Sequence, residues 1–211
     1  MKRNWENIKW IFEPDGGLRD IYIQEVLLSD WIKLIDFLNG NHSLKYTTSI
    51  KSSDKIDKEY IIKYLQDKSG ELESVKVTVE LDGISANCHF FLQDQIEFDI
   101  DPIEIKTIDD YEKVENFMSS ISYLLEKQVT LTFENDIKLP VIKIDVIKKI
   151  RRILSEDEIK NIDKNEVSFI NKIYEIRTNV LLRFFPKLFK KRLIKSALEP
   201  YKSTKLNENH W

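Results

Sequence analysis

The chain has few of the residues that carry covalent, metal or redox chemistry. Its 211 residues include one cysteine, Cys88, and three histidines. One cysteine excludes an intramolecular disulfide and favours a reducing compartment. Three histidines leave little material for a histidine metal site or a Ser-His-Asp triad. No Walker-type or dinucleotide-type glycine loop is present, so the sequence predicts no cofactor and gives no catalytic signature.

Glycine, proline and long apolar runs are also scarce. There are five glycines and five prolines, which argues against long disordered linkers. No stretch approaches the roughly 18 uncharged apolar residues of a membrane span, and the N-terminus lacks an apolar run of signal-peptide length. We therefore expect a cytoplasmic protein with no transmembrane segment. Hydrophobic residues make up 42% of the chain, which is enough for a sizeable core.

The net charge of −3 hides a separation of charge along the chain. Residues 1–145 hold 28 acidic and 17 basic residues, a net charge of −11. Residues 146–211 hold 8 acidic and 16 basic residues, a net charge of +8. We interpret this as an acidic body, 1–145, followed by a basic helical C-terminal region, 146–211, that docks on the body.

The apolar periodicity predicts an α+β fold. Alternation of period two through 75–81, 84–92 and 96–100 predicts an antiparallel meander with one buried face. Helical spacing predicts helices at 29–39, 56–66 and 108–126, the last capped by Thr107. Further strands are predicted at 10–12, 18–23, 44–50, 129–133 and 139–144. We expect a mostly antiparallel sheet of six to eight strands packed by helices, with an all-helical C-terminal extension from residue 146.

An acidic run in the third strand of the meander is the first candidate site. Strand parity places Glu97, Asp99 and Asp101 on one face, opposite the apolar Ile96, Phe98 and Ile100, and Glu104 follows. Three interpretations remain open for these carboxylates. They can form a solvated strand face that guards against edge pairing, a surface for a basic partner, or ligands for a divalent cation.

The pair Cys88 and His89 is the second candidate. Adjacent strand residues point to opposite faces, so His89 cannot serve as a base for Cys88. Cys88 shares the apolar parity of Ala86 and Phe90, which predicts a buried, inert thiol rather than a nucleophile. His89 shares the polar parity of Phe91, which suggests a place on a contact surface.

The third candidate is the basic stretch Arg177–Lys195, which contains seven lysines and arginines and no acidic residue. Apolar residues interleave with the cations throughout it. Such a stretch can bind an anionic membrane or the phosphates of a nucleic acid. It can equally dock on the acidic body of the same molecule, which supplies the opposite charge.

Two stretches of the sequence resemble a bacterial family. The run Asp15–Ile23, followed by Asp30–Leu38, is similar to the opening of small immunity-type proteins that accompany polymorphic or contact-dependent growth-inhibition toxins. His89–Phe91 and Ile96–Pro102 are similar to the central strands of those proteins. The resemblance covers residues 10–102 and does not extend to the basic region after Val146.

The resemblance implies a non-enzymatic inhibitor that binds a toxin domain in the cytoplasm of the producing cell. Many toxin domains of such systems are basic nucleases, and an acidic body would complement their charge. On this hypothesis Glu97, Asp99 and Asp101 contact the partner, with His89 nearby. Two alternatives stay open: an enzyme with an unrecognised carboxylate site, and a peripheral membrane or nucleic-acid adaptor that uses Arg177–Lys195.

Overall fold

A computed structural model describes residues 4–49 and 52–161 of the chain. The chain divides into two compact units, Met1–Glu156 and Asp157–Trp211. The second unit is described only over residues 157–161, which are helical. Within the described residues, no helix has both the length and the apolar character that a membrane crossing requires.

The first unit is built on one nine-stranded, fully antiparallel sheet. Its strands lie in the order β3-β2-β4-β5-β6-β1-β7-β8-β9, so β6 is central and β1 is its neighbour. The strands are β1 Arg19–Gln24, β2 Leu44–Thr47, β3 Ser52–Ser53, β4 Lys76–Glu80, β5 Ser85–Cys88, β6 Gln95–Ile100, β7 Val129–Phe133, β8 Ile142–Asp145 and β9 Ile150–Ile153. The α+β fold and the consecutive β4-β5-β6 meander are confirmed.

Three α-helices complete the described part of this unit: α1 Leu28–Asn41, α2 Lys58–Gln66 and α3 Ile108–Leu125. The helix α3 begins at a capping box, in which Thr107 Oγ1 accepts the Asp110 N–H and Asp110 Oδ2 accepts the Thr107 N–H. The three predicted helices are therefore confirmed to within two residues at each end.

The helices pack on the apolar face of the sheet. Phe117 of α3 meets Phe98 of β6 edge to face, with ring centroids 5.2 Å apart. Trp31 of α1 is fully buried and lies 5.2 Å from the Phe90 ring. Ile21 and Ile23 of β1 have the same parity as Phe98 and are also fully buried. Burial of this apolar side fixes which residues of β1, β5 and β6 point the other way.

A buried arginine ties the N-terminal segment to the sheet. Arg19 of β1 is 1% exposed and lies 4.6 Å from the centre of the Phe133 ring. Its guanidinium donates to the carbonyl oxygens of residues 11, 13, 17 and 18, and to the Asp15 carboxylate at 3.1 Å. The Asp15 side chain is 53% exposed, so most of this network is between the arginine and backbone carbonyls.

Two predicted elements are wrong. Residues 10–12 belong to a 3-10 helix, Lys9–Phe12, and not to a strand, because the Ile11 N–H bonds to the Ile8 carbonyl within the segment and not to a neighbouring strand. The helical region predicted from residue 146 contains the strand β9, whose Ile153 pairs with Ile142 of β8. The rest of that region, including the basic stretch Arg177–Lys195 and its docking on the body, lies outside the described residues.

Candidate functional site

The polar side of the central strands carries a row of side chains that runs across the sheet. Antiparallel register places Asn87 of β5 opposite Asp99 of β6, and Asp99 opposite Asp20 of β1. Tyr22 and Glu97 form the next pair along β1 and β6. We call the surface formed by these five residues the carboxylate face. The aromatic contacts of α1 and α3 lie on the other, apolar side of the sheet.

Hydrogen bonds hold one end of the carboxylate face in place. Thr78 Oγ1 donates to Asn87 Oδ1 at 2.8 Å, and Asn87 Nδ2 donates to Asp99 Oδ1 at 2.9 Å. His89 Nε2 lies 3.0 Å from the other oxygen, Asp99 Oδ2. The Asp99 side chain is 16% exposed and the His89 ring 33% exposed. Both can therefore meet a partner, but neither is free to change rotamer without losing these contacts.

The other end of the face contains a buried carboxylate beside a partly exposed one. Asp20 is 2% exposed, and its Oδ2 accepts the Tyr22 hydroxyl at 2.8 Å and the Asn135 N–H at 2.7 Å. Burial raises the pKa of Asp20, and repulsion from Asp99 adds to this. Burial, followed by repulsion from Asp20, likewise raises the pKa of Glu97. The Tyr22 pKa is raised by burial and by its bond to Asp20.

Among the described residues, no lysine or arginine belongs to the carboxylate face. Within the described residues, none forms an ion pair with Asp20, Glu97 or Asp99. By register the nearest lysine of the same sheet side is Lys76 of β4, two strands from Glu97, and Lys45 of β2 and Lys143 of β8 are each three strands from the carboxylates in their rows. Two to three strand spacings amount to about 10–14 Å, beyond the screening length of roughly 8 Å at physiological salt. Negative charge is therefore left largely uncompensated here.

The three carboxylates of the face differ in how far they can be reached from solvent. Asp20 is closed off by Tyr22 and the residue 135 backbone, so only Glu97 and Asp99 can reach a partner. Within residues 4–49 and 52–161, no three His, Cys, Asp or Glu side chains are placed to hold a metal ion. A cavity of about 1010 Å³ lies elsewhere, against α3, and none of the carboxylate-face residues lines it.

The predicted residues fall into three groups. Glu97, Asp99 and His89 lie together on the polar side, as strand parity predicted. Cys88 is buried, as predicted, and burial raises the pKa of its thiol to about 12. Asp101 has extended backbone but lies one residue beyond the strand, so its place beside Glu97 and Asp99 stays a prediction. β6 ends at Ile100, and Asp101 Oδ1 accepts the Ile103 N–H at the start of a 3-10 helix, Pro102–Glu104.

Sequence reasoning missed Asp20 and Tyr22. Both lie in the run 18–23, which was predicted as a strand without an assignment of its two faces. Their one signal is polar parity, since residues 20 and 22 alternate with Ile21 and Ile23. That signal places them on the same side of the sheet as Glu97 only when the β1–β6 pairing is known.

Comparison of the chain with known proteins found no match among family models, curated proteins or solved structures.

Proposed function

We propose that this protein is a non-catalytic binding protein that neutralises a toxin domain by direct protein–protein contact in the cytoplasm of the cell that makes the toxin. The carboxylate face, with His89 at its edge, is the binding surface, and the partner presents lysines or arginines to it. The proposal takes its partner class from the resemblance of residues 10–102 to immunity-type proteins.

The observation that carries the proposal is the cross-strand pair Asp20 and Asp99. Like charges directly opposite each other on neighbouring strands destabilise a sheet by roughly 0.2–1 kcal/mol, and Glu97 adds a third charge to the pair. A fold retains such a cost most readily where function requires it. A cationic partner would remove the repulsion and gain charge-assisted hydrogen bonds to Glu97 and Asp99.

Rigidity is the second support. β1 and β6 have paired neighbours on both sides, and the Thr78–Asn87–Asp99 chain fixes the side chains as well as the backbone. A surface that is ordered before binding loses little conformational entropy when the partner arrives. Uncompensated negative charge also speeds association with a basic protein by long-range attraction.

The test uses the domain encoded by the reading frame directly upstream of this one, purified and titrated with this protein by calorimetry and by stopped-flow fluorescence. We expect a stoichiometric complex. We also expect Glu97→Lys to slow association at least ~10-fold at low salt, because it reverses one charge at the contact. The matched control is Glu112→Lys, which makes the same charge change on the exposed side of α3 and should leave association almost unchanged.

Two results would contradict the proposal. One is the absence of binding between the two proteins. The other is equal behaviour of the Glu97→Lys and Glu112→Lys variants, which would remove the carboxylate face from the contact. The non-catalytic part is tested by mass spectrometry of the toxin domain after inhibition. We expect its mass to be unchanged and inhibition to need one equivalent of this protein, whereas an enzyme would act substoichiometrically.

A further inference from the structure

Three large apolar side chains are exposed at the end of the sheet where the β5–β6 turn lies. Phe91 is 64% exposed and Leu92 49% exposed in that turn. Leu27, before α1, is 66% exposed. The Val26 N–H donates to the Asp94 carbonyl at 3.0 Å, which joins the two segments within two residues of Leu27 and Leu92. Single exposed apolar residues are ordinary, but a group of them beside one another marks an interaction surface.

Buried contacts with α1 fix the turn that carries Phe91. Phe90 is 3% exposed and packs against Trp31, whose indole Nε1 donates to the Gln93 carbonyl at 3.0 Å. Phe90 has a φ of 56°, in the left-handed region that bulky L-residues rarely adopt. The exposed ring of Phe91 is thus presented by a fixed and strained backbone and not by a flexible loop tip.

Phe91 is continuous with the carboxylate face. Its ring stacks on the His89 ring, with centroids 5.0 Å apart and planes inclined by 6°. His89 in turn contacts Asp99 at 3.0 Å. One short path of contacts therefore leads from an exposed aromatic ring to a carboxylate. An aromatic anchor next to a charged surface is a common composition of protein interfaces, where a few such anchors supply most of the binding energy.

We propose that Phe91 and Leu92 are apolar anchors that insert into an apolar pocket on the same basic protein partner that contacts the carboxylate face. This inference rests on the proposed function and adds to it the chemistry of the partner surface. The partner would present a cationic area to Glu97 and Asp99. An apolar pocket for Phe91 and Leu92 would lie beside that area, next to the part of the partner that faces His89. Charge sets the rate of encounter, and the anchors set the lifetime of the complex.

The experiment compares Phe91→Ala and Leu92→Ala with Glu97→Lys, using the purified domain encoded directly upstream at salt concentrations from 50 to 500 mM. We expect Phe91→Ala to raise Kd by about 30-fold or more through faster dissociation, because loss of an interface anchor acts mainly on that rate. The salt dependence of association should match that of the wild type. Glu97→Lys should instead slow association and flatten its salt dependence.

The matched control for the aromatic change is Tyr123→Ala. Tyr123 is 69% exposed on α3, so its replacement removes a ring of similar size and exposure from an element that does not carry the turn. Melting temperatures of all variants exclude a folding effect, and Leu92→Ala provides a second variant that leaves the His89 stack in place. Wild-type affinity for both Phe91→Ala and Leu92→Ala, with a clear effect of Glu97→Lys, would overturn this inference alone. No effect of Glu97→Lys would overturn the proposed function and the basic partner with it.

Discussion

Neutralising Glu97 should make the free protein more stable. The change is Glu97→Gln, which keeps the size of the side chain and removes its charge. Glu97 and Asp99 are two residues apart on β6, a separation of about 7 Å along the strand. Asp20 on the neighbouring strand β1 is the diagonal neighbour of Glu97, also about 7 Å away. Gln95 Nε2, which donates to Glu97 Oε2 at 3.1 Å, can rotate to meet the new amide oxygen.

The size of the effect follows from these distances. Two unit charges about 7 Å apart repel by roughly 0.6 kcal/mol at the dielectric constant of water and by about 2 kcal/mol at an effective value of 20. Attraction to His89 and the hydrogen bond from Gln95 offset part of this repulsion. We expect a net gain of about 1 kcal/mol in the free energy of unfolding, which raises Tm by about 2–4 °C for a chain of this size.

The pKa of Glu97 determines how the stability difference between the Glu97→Gln variant and the wild type depends on pH. Burial and the two neighbouring carboxylates raise the pKa of Glu97 in the folded protein above its ordinary value of 4.5. Between the unfolded and folded pKa values the folded state holds the extra proton, so wild-type stability falls as pH rises through that window. Below it the carboxyl group is neutral in both states. The difference between the variant and the wild type should be near zero at the acid end and reach its full size above the folded pKa.

Thermal melts of both proteins at a series of pH values from 4 to 8 measure the difference directly. Glu112→Gln on α3 is the control, because the exposed Glu112 loses the same charge without carboxylate neighbours across a strand. A Glu97→Gln protein that is less stable than the wild type at pH 7 would refute the reasoning. So would a difference that does not depend on pH, since it would show that repulsion at the carboxylate face does not cost the fold stability.

Three further predictions concern the frame that holds this face. Arg19→Met should lower the free energy of unfolding by about 3–5 kcal/mol, measured by urea unfolding, because it leaves buried carbonyls without a donor. Asp15→Asn should lower it by less than about 1 kcal/mol, and equal losses for the two variants would contradict the network described here. Cys88 should react with a thiol reagent at pH 8 only when urea unfolds the protein, and rapid labelling of the native state would contradict its burial. Thr107→Ala should lower stability by about 0.5–2 kcal/mol through loss of the α3 cap, with Thr47→Ala as a control outside any cap, and equal stability of both variants would contradict the cap assignment.

Elements with a strong local signal were predictable from the sequence, and those that depend on distant pairing were not. The helix α3 has a capping box and a regular apolar stripe, so both its position and its start were confirmed. β9 lies in the region from residue 146 onward that was predicted to be helical. Its strand conformation comes from the pairing of Ile153 with Ile142, and the local pattern holds no trace of that contact.

The same division applies to the candidate site. Parity within one strand was enough to place Glu97 with Asp99 and to separate His89 from Cys88. Parity gave no sign that Asp101 lies beyond the end of β6, where Pro102 begins a 3-10 helix and the Asp101 carboxylate caps it. The approach of Asp20 to Asp99 depends on a register between residues about 80 positions apart, which no periodicity encodes.

The electrostatic repulsion between Asp20 and Asp99 helps to decide whether the carboxylate face is a binding surface. A solvated strand face that serves only to prevent aggregation belongs at a sheet edge, where backbone groups are unpaired. β6 and β1 lie in the middle of the sheet, with both edges of each strand already paired, so charge there protects no edge. Nor does it increase stability, since no lysine or arginine of the described residues pairs with it. What remains is a charged surface on two strands that are paired on both sides, beside an exposed aromatic ring, and the proposed binding of a cationic protein surface would account for both.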